Sequence, residues 1–253
     1  MSKDLDESKS EHPRPTWGLV GAIFVFTLFA QFVSLGFGRA RDDLPFSSLF
    51  FPSLVFLTAF TLPATWFGIF FGPKFGLGVK SFLSSRKGDF IRHFGPNSLL
   101  AIISGSVLGG FLLLLRVWLA PYLPSELPEY GHRGVVGGLA VSFGAAVAEE
   151  VWFRLGLMTF LVWLISKFRS ATRVSNGMVR LVILVTAFGF GAAHLPQLLS
   201  YGAGSSFAIW ATVLGNVTVG VLYGWCYWRK GLFIAMIAHF SLDLVLHVLP
   251  AMF

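Results

Sequence analysis

The sequence predicts an all-α, polytopic membrane protein of about seven transmembrane helices with a four-helix catalytic core. Of its 253 residues, 55% are hydrophobic and only 12% are charged, whereas a soluble domain carries about 25% charged residues. Seven apolar stretches approach or exceed the roughly 20 residues that a spanning α-helix needs. Because backbone groups in lipid must find their hydrogen bonds within the chain, these stretches are predicted to be helices.

The apolar stretches divide the chain into three parts. Residues 1–16 are polar and charged and are predicted to form a disordered cytoplasmic tail. Residues 17–133 hold three N-terminal transmembrane helices and their loops, and residues 134–253 hold the predicted catalytic core. The spans are placed at residues 17–37, 49–72, 98–120, 135–165, 179–199, 207–228 and 231–249.

The net charge of +7 comes from basic residues between the apolar stretches. No basic stripe with interleaved aromatic residues is present, so we expect lipid rather than nucleic acid as a partner. The loops of one face hold only Arg39, Arg41 and Arg133. The tail and the loops of the other face hold fourteen basic residues, namely Lys3, Lys9, Arg14, Lys74, Lys80, Arg86, Lys87, Arg92, Lys167, Arg169, Arg173, Arg180, Arg229 and Lys230. This bias predicts a cytoplasmic N-terminus.

Costly polar side chains are concentrated in the last four apolar stretches. A charged side chain inside a span costs about 2.5–3.5 kcal/mol on insertion scales and indicates a functional site. Several such residues on three helices are explained most simply if they meet in one polar cavity. The candidates are Glu149, Glu150, Arg154, His194, His239 and Asp243.

Helical spacing separates the roles of these candidates. Glu150 and Arg154 are four residues apart and are predicted to form a structural ion pair on one helix face. Glu149 lies about 100° around the helix from Glu150 and stays available as a general base. His239 and Asp243 also share a face at this spacing, so Asp243 either takes part in chemistry or orients His239.

Other polar and small residues in the spans have structural interpretations. Arg116 lies near an outer edge and is predicted to extend its charge into the interface. Asn216 is predicted to hydrogen-bond between helices, and His247 to lie at the interface. Trp225, Tyr227 and Trp228 are predicted to belong to an aromatic belt at the membrane surface. Two pairs of glycines are predicted to let helices approach closely, namely Gly105 with Gly109 and Gly220 with Gly224.

Three motifs together resemble the CAAX protease and bacteriocin-processing (CPBP, or Abi) family of intramembrane proteases. The resemblance covers about residues 135–250, and the eukaryotic type II CAAX prenyl endopeptidase belongs to the same family. Asp243 stands where the prenyl endopeptidases have Asn and many bacterial relatives have Asp, which favours a bacterial-type relative. The protein is therefore expected in a bacterial plasma membrane. The motifs are Glu149-Glu150-x-x-x-Arg154, Phe190-x-x-x-His194 and His239-x-x-x-Asp243.

The resemblance implies an intramembrane endopeptidase that acts on a membrane-associated protein or peptide. It implies that Glu149 and His194 activate a water molecule that attacks the peptide carbonyl. It also implies that His239 and Asp243 stabilise the oxyanion, while Arg154 holds Glu150. Phe190 is expected to pack beside the site.

The donor set leaves a metal ion as an alternative. The family is often labelled metalloprotease, and four of the candidates could hold Zn²⁺ tetrahedrally, namely Glu149, His194, His239 and Asp243. If all four bound the ion, no position would remain for the attacking water. We therefore expect no required cofactor, with Zn²⁺ as the alternative.

Two other functions are compatible with the same residues. Buried Glu, His and Asp side chains also form relays in proton- or ion-coupled transporters. Such transporters tend to show internal repeats and broken helices, and the sequence shows no such symmetry. The second alternative is a non-catalytic immunity or chaperone protein built on the protease fold.

Overall fold

The computed structural model describes residues 17–38, 45–79, 87–168 and 174–253, with the backbone alone for 87–93. These residues form a helical bundle and contain no strand. The predicted tail 1–16 lies outside the described residues. The helices in the described ranges are α1 (Trp17–Phe37), α2 (Phe46–Phe71), α3 (Lys87–Leu119), α4 (Gly134–Glu149), α5 (Thr159–Phe168), α6 (Asn176–Ala193), α7 (Leu195–Ser200), α8 (Ser206–Lys230) and α9 (Leu232–Asp243).

Seven helical segments among the described residues are long and apolar enough to cross a membrane, which confirms the predicted fold class. They are Trp17–Phe37, Phe46–Phe75, Phe94–Tyr122, Gly134–Phe168, Asn176–Ser200, Ser206–Lys230 and Leu232–Met252. Each predicted boundary lies within a few residues of the observed one. Apolar composition locates the spans well because lipid tolerates few other side chains over that length.

The seventh span occupies the centre of the bundle. In its most apolar window 61% of the residues are buried, against 17% for the third span. The first three spans expose many large apolar side chains, such as Phe51, Val107 and Leu114, as expected for a lipid-facing surface. The helix that carries His239 and Asp243 is therefore enclosed by the others.

Small residues set the distances between the central helices. A Cβ at Gly105 of α3 would meet the Ala238 carbonyl of α9, and one at Gly109 would lie 2.9 Å from the Leu242 oxygen. A Cβ at Gly220 of α8 would lie 3.0 Å from Ala187 of α6. The predicted close approach of helices at these glycines is confirmed, and it fixes the position of α9.

Candidate active site

Two π-helical segments lie beside the candidate residues. The chain continues from α4 into a π-helix over Glu150–Met158, and from α9 into a second π-helix over Leu244–Val248. The first begins directly after Glu149 and the second directly after Asp243. Such π-helical turns are rare and often occur at functional sites. They set the direction in which the neighbouring side chains leave the helix.

Glu150 lies at the centre of a fully buried polar network. Its Oε2 is 3.4 Å from Arg154 Nε, which confirms the predicted pair. Its Oε1 is 3.0 Å from His239 Nδ1. Because Glu150 is paired with an arginine, its carboxylate accepts and the imidazole Nδ1 donates. The network connects α9 to the π-helical segment that follows α4.

Glu149, Asp243 and the other nitrogen of His239 meet on the opposite side of the imidazole ring. His239 Nε2 lies 3.5 Å from Asp243 Oδ2 and 3.8 Å from Glu149 Oε2. The Glu149 side chain keeps 25% of its surface exposed, whereas that of Glu150 is fully buried. The two adjacent glutamates therefore differ in solvent access, as their helical positions predicted.

His194 directly follows the last residue of α6, and a backbone carbonyl of that helix fixes the orientation of its ring. Its Nδ1 donates to the Phe190 carbonyl across 2.8 Å, and carbonyls in the last turn of a helix lack an intrahelical partner. In the neutral ring this leaves Nε2 as an acceptor. The side chain is half-buried and lines the same cavity as Glu149.

Two buried aromatic rings hold the imidazoles. Phe190 packs against His194 with ring centroids 4.7 Å apart and against Arg154 at 5.3 Å. Tyr223 of α8 stacks on His239 at 4.3 Å with an interplanar angle of 14°. The contacts of Phe190 agree with the predicted packing beside the site. Tyr223 was missed, because an aromatic residue within an apolar helix gives no distinguishing signal in the sequence.

A cavity of about 620 Å³ connects these groups to one end of the bundle. All four predicted catalytic residues line it, namely Glu149, His194, His239 and Asp243. Glu150 and Arg154 do not line the cavity and lie behind it. One wall comes from α3, at Phe111, Leu112 and Leu115, so the cavity extends beyond the predicted four-helix core.

Arg116 Nη2 donates to the Pro128 carbonyl, in the loop beyond the third span, across 3.1 Å. Two other predicted structural roles are wrong. Asn216 donates to Thr212 of its own helix and faces the cavity rather than another helix. Tyr227 is buried, with its hydroxyl 2.7 Å from that of Thr159, and does not belong to a surface belt.

The alternative of a bound Zn²⁺ finds no support in the described residues. Within that part of the chain, no three His, Cys, Asp or Glu side chains are arranged to hold one metal ion. The residues therefore do not fit the predicted four-ligand site.

Fold and site together define an integral, multi-pass membrane protein in which carboxylates and histidines from three spans line one cavity. The Rce1-like family of type II CAAX prenyl endopeptidases matches residues 132–245. The predicted resemblance to the CAAX protease family is thereby confirmed for this part of the chain, and it indicates a protease. No curated protein and no solved structure matches the chain.

Proposed function

We propose that this protein is an intramembrane endopeptidase that hydrolyses a peptide bond of a membrane-associated protein or peptide. The supporting observation is that the carboxylates of Glu149 and Asp243 both lie within 3.8 Å of His239 Nε2. His194 lines the same cavity. These groups come from three separate spans. A packing role alone does not explain such a concentration of polar groups inside a membrane protein.

In the proposed reaction, Glu149 is the general base. Its carboxylate removes a proton from a water molecule, whose oxygen then attacks the carbonyl carbon of the substrate. Nε2 of His194, free of hydrogen in the neutral ring, accepts a hydrogen bond that orients this water. When the carbon–nitrogen bond breaks, the proton held by Glu149 passes to the leaving amine. The products are a carboxylate and an amine.

His239 is the proposed donor to the oxyanion. Its Nδ1 donates to Glu150, so Nε2 also carries a hydrogen only in the imidazolium form, in which both ring nitrogens donate. In that form, which the surrounding carboxylates favour, the Nε2 hydrogen points towards the cavity near Glu149 and Asp243. A fixed donor aimed at developing negative charge is worth about 2.7–4 kcal/mol in comparable sites. Asp243 lies 3.5 Å from the same nitrogen and keeps the ring in position.

Comparison of membrane peptides tests the proposal. Cells that make the wild-type protein are compared with cells that make Glu149→Gln, and cleaved peptides are identified by mass spectrometry. We expect at least one product to disappear in Glu149→Gln, while the amount of folded protein is unchanged because Glu149 is part-exposed. Glu126→Gln, at an exposed loop residue outside the cavity, is the control.

The neighbouring carboxyl provides a contrasting variant. Glu150→Gln leaves Arg154 without its charge partner in the buried network, and breaking such a pair costs about 3–5 kcal/mol. We expect it to lower the amount of folded protein as well as activity. Identical peptide profiles for wild type and Glu149→Gln, with a changed proton or solute gradient, would instead indicate the transporter. Identical profiles without such a change would indicate a non-catalytic protein.

A further inference from the structure

We infer that the cavity opens to the non-cytoplasmic side of the membrane, so that the substrate is a peptide segment presented from that side. The nature of the substrate rests on the proposed endopeptidase function. The side of the opening follows from the positions of the cavity walls and of the basic residues, and a substrate has to arrive from that side.

The walls of the cavity come from one end of the bundle. They include the C-terminal turns of α3, the connection between α3 and α4, helix α7, and the N-terminal half of α8. The turn after Asp243 completes the opening, at Leu246 and His247. All these segments lie where spans three, five and seven end and where spans four and six begin.

The exposed basic residues lie at the other end. Lys74, Lys167, Arg180 and Arg229 are exposed at or near the opposite ends of the spans. In the sequence, fourteen Lys and Arg residues belong to that face and three to the loops of the cavity end. Lys and Arg residues near the membrane are attracted to the anionic cytoplasmic leaflet, and short basic loops are retained in the cytoplasm.

The two described arginines at the cavity end are held by the protein. Arg116 lies over the Tyr130 ring at 5.4 Å and donates to the Pro128 carbonyl across 3.1 Å. Arg133 donates from Nη1 to the Gly38 carbonyl across 2.9 Å. These charges stabilise loops over the cavity and are not free anchors for a cytoplasmic leaflet. They therefore do not offset the excess of basic residues at the other end of the bundle.

The depth of the site restricts how a substrate reaches it. His239 lies about 20 Å from the Met252 end of its span, at a rise of about 1.5 Å per residue. An extended chain covers about 3.3 Å per residue, so roughly six residues have to enter before a peptide bond reaches His239. An unfolded end or an extended loop on the non-cytoplasmic side meets this requirement, whereas a folded domain does not.

Thiol labelling tests the orientation without any need for cleavage. The chain has a single cysteine, the buried Cys226, so Cys226→Ala gives a background without reactive thiols. Ser125→Cys is placed on the exposed connection over the cavity, and Asn176→Cys at the exposed start of α6. Each variant is treated with a membrane-impermeant maleimide, in intact cells and after permeabilisation. Folding is checked by size-exclusion chromatography.

We expect Ser125→Cys to react in intact cells and Asn176→Cys to react at least tenfold more after permeabilisation than before. The reverse pattern would overturn the inference. Gly215→Cys probes the cavity itself, because a Cβ at Gly215, which lines the cavity, meets no atom within 4 Å. A small charged thiol reagent added outside should reach it. Absence of that reaction, with Ser125→Cys labelled, would show that the cavity does not open there.

The two proposals fail in distinguishable ways. A protein with the inferred orientation but no protease activity still gives the expected labelling, while its peptide profile does not respond to Glu149→Gln. A protease that opens to the cytoplasm gives the reversed labelling and a profile that does respond. In that case the proposed chemistry would stand and the substrate would be cytoplasmic.

Discussion

Glu149 and Glu150 are adjacent in the sequence and occupy opposite environments. One carboxylate faces the cavity, and the other is buried between Arg154 and His239. A hundred-degree step around the helix suffices for this difference. His239 lies beside both glutamates. The buried Glu150–Arg154 pair therefore fixes the position of the imidazole that the part-exposed Glu149 carboxylate approaches. A structural ion pair thus determines the geometry of the proposed chemistry.

Tyr223 provides a prediction at the same scale. Its ring stacks on His239, while its buried hydroxyl has no hydrogen-bond partner among the described residues. We expect Tyr223→Phe to keep cleavage within about threefold of wild type, because the stack remains and no hydrogen bond is lost. Tyr223→Leu should lower the cleavage rate by up to about tenfold, because an aromatic pair is worth about 0.5–1.5 kcal/mol.

The measurement is the cleavage rate at saturating substrate, with thermal unfolding in detergent to confirm that each variant folds. Equal rates for Tyr223→Phe and Tyr223→Leu would show that the ring does not position His239. A large loss in Tyr223→Phe alone would assign the hydroxyl a direct role.

Sequence reasoning predicted which residues line the cavity better than it predicted their contacts. The three motifs contain every candidate that now lines the cavity, because charged groups stand out in apolar spans. The motifs did not show that Glu150 binds His239, since partners on different helices depend on helix rotation. Tyr223 and the α3 wall were missed for a related reason. Apolar and aromatic residues in a transmembrane helix look alike whether they face lipid, a neighbour or a cavity.

At the scale of helices, departures from regular α-helix occur where the site lies. The two π-helical segments begin directly after Glu149 and Asp243. The fifth span is interrupted at His194, between α6 and α7. Pro196, in the first turn of α7, was the available signal, because proline has no N–H with which to continue the hydrogen bonds of α6. The π-helical turns have no comparable sequence signature.

Gly105 allows a test of the contact between α3 and α9. A Cβ there would meet the Ala238 carbonyl, one residue before His239. We expect Gly105→Ala to destabilise the protein by about 1–3 kcal/mol, the usual cost of overpacking, and to reduce cleavage by displacing α9. Unfolding temperature in detergent and cleavage rate are measured together.

Gly110 of the same helix is the matched control, because a Cβ there meets nothing within 4 Å. Gly110→Ala should be neutral or slightly stabilising, since alanine favours helix over glycine by up to about 1 kcal/mol. If both variants unfolded at the wild-type temperature, the close approach of α3 and α9 would not matter for stability.

For the whole molecule, the first three spans do more than anchor the remainder. α1 packs against α4, and α3 packs along α9 and forms a cavity wall. The predicted division into residues 17–133 and 134–253 follows the motifs, yet the packing crosses it. We therefore expect a fragment of residues 134–253 to be inactive and to aggregate when it is made alone.

Co-expression with residues 17–133 should restore a monodisperse, active complex, because the α3–α9 contact then forms between two chains. Size-exclusion chromatography and cleavage measure the two effects. A fragment 134–253 that is monodisperse and fully active alone would show that the N-terminal spans are dispensable for the site.

The central position of the seventh span also has a consequence for synthesis. Leu232–Met252 leaves the ribosome after the six spans that surround it. Until it inserts, the Glu150 carboxylate and the Arg154 guanidinium lack His239, and the space that α9 fills is open to lipid or water. The proposed site therefore cannot form on a nascent chain that stops before this helix, and assembly of the bundle and completion of that site are one event.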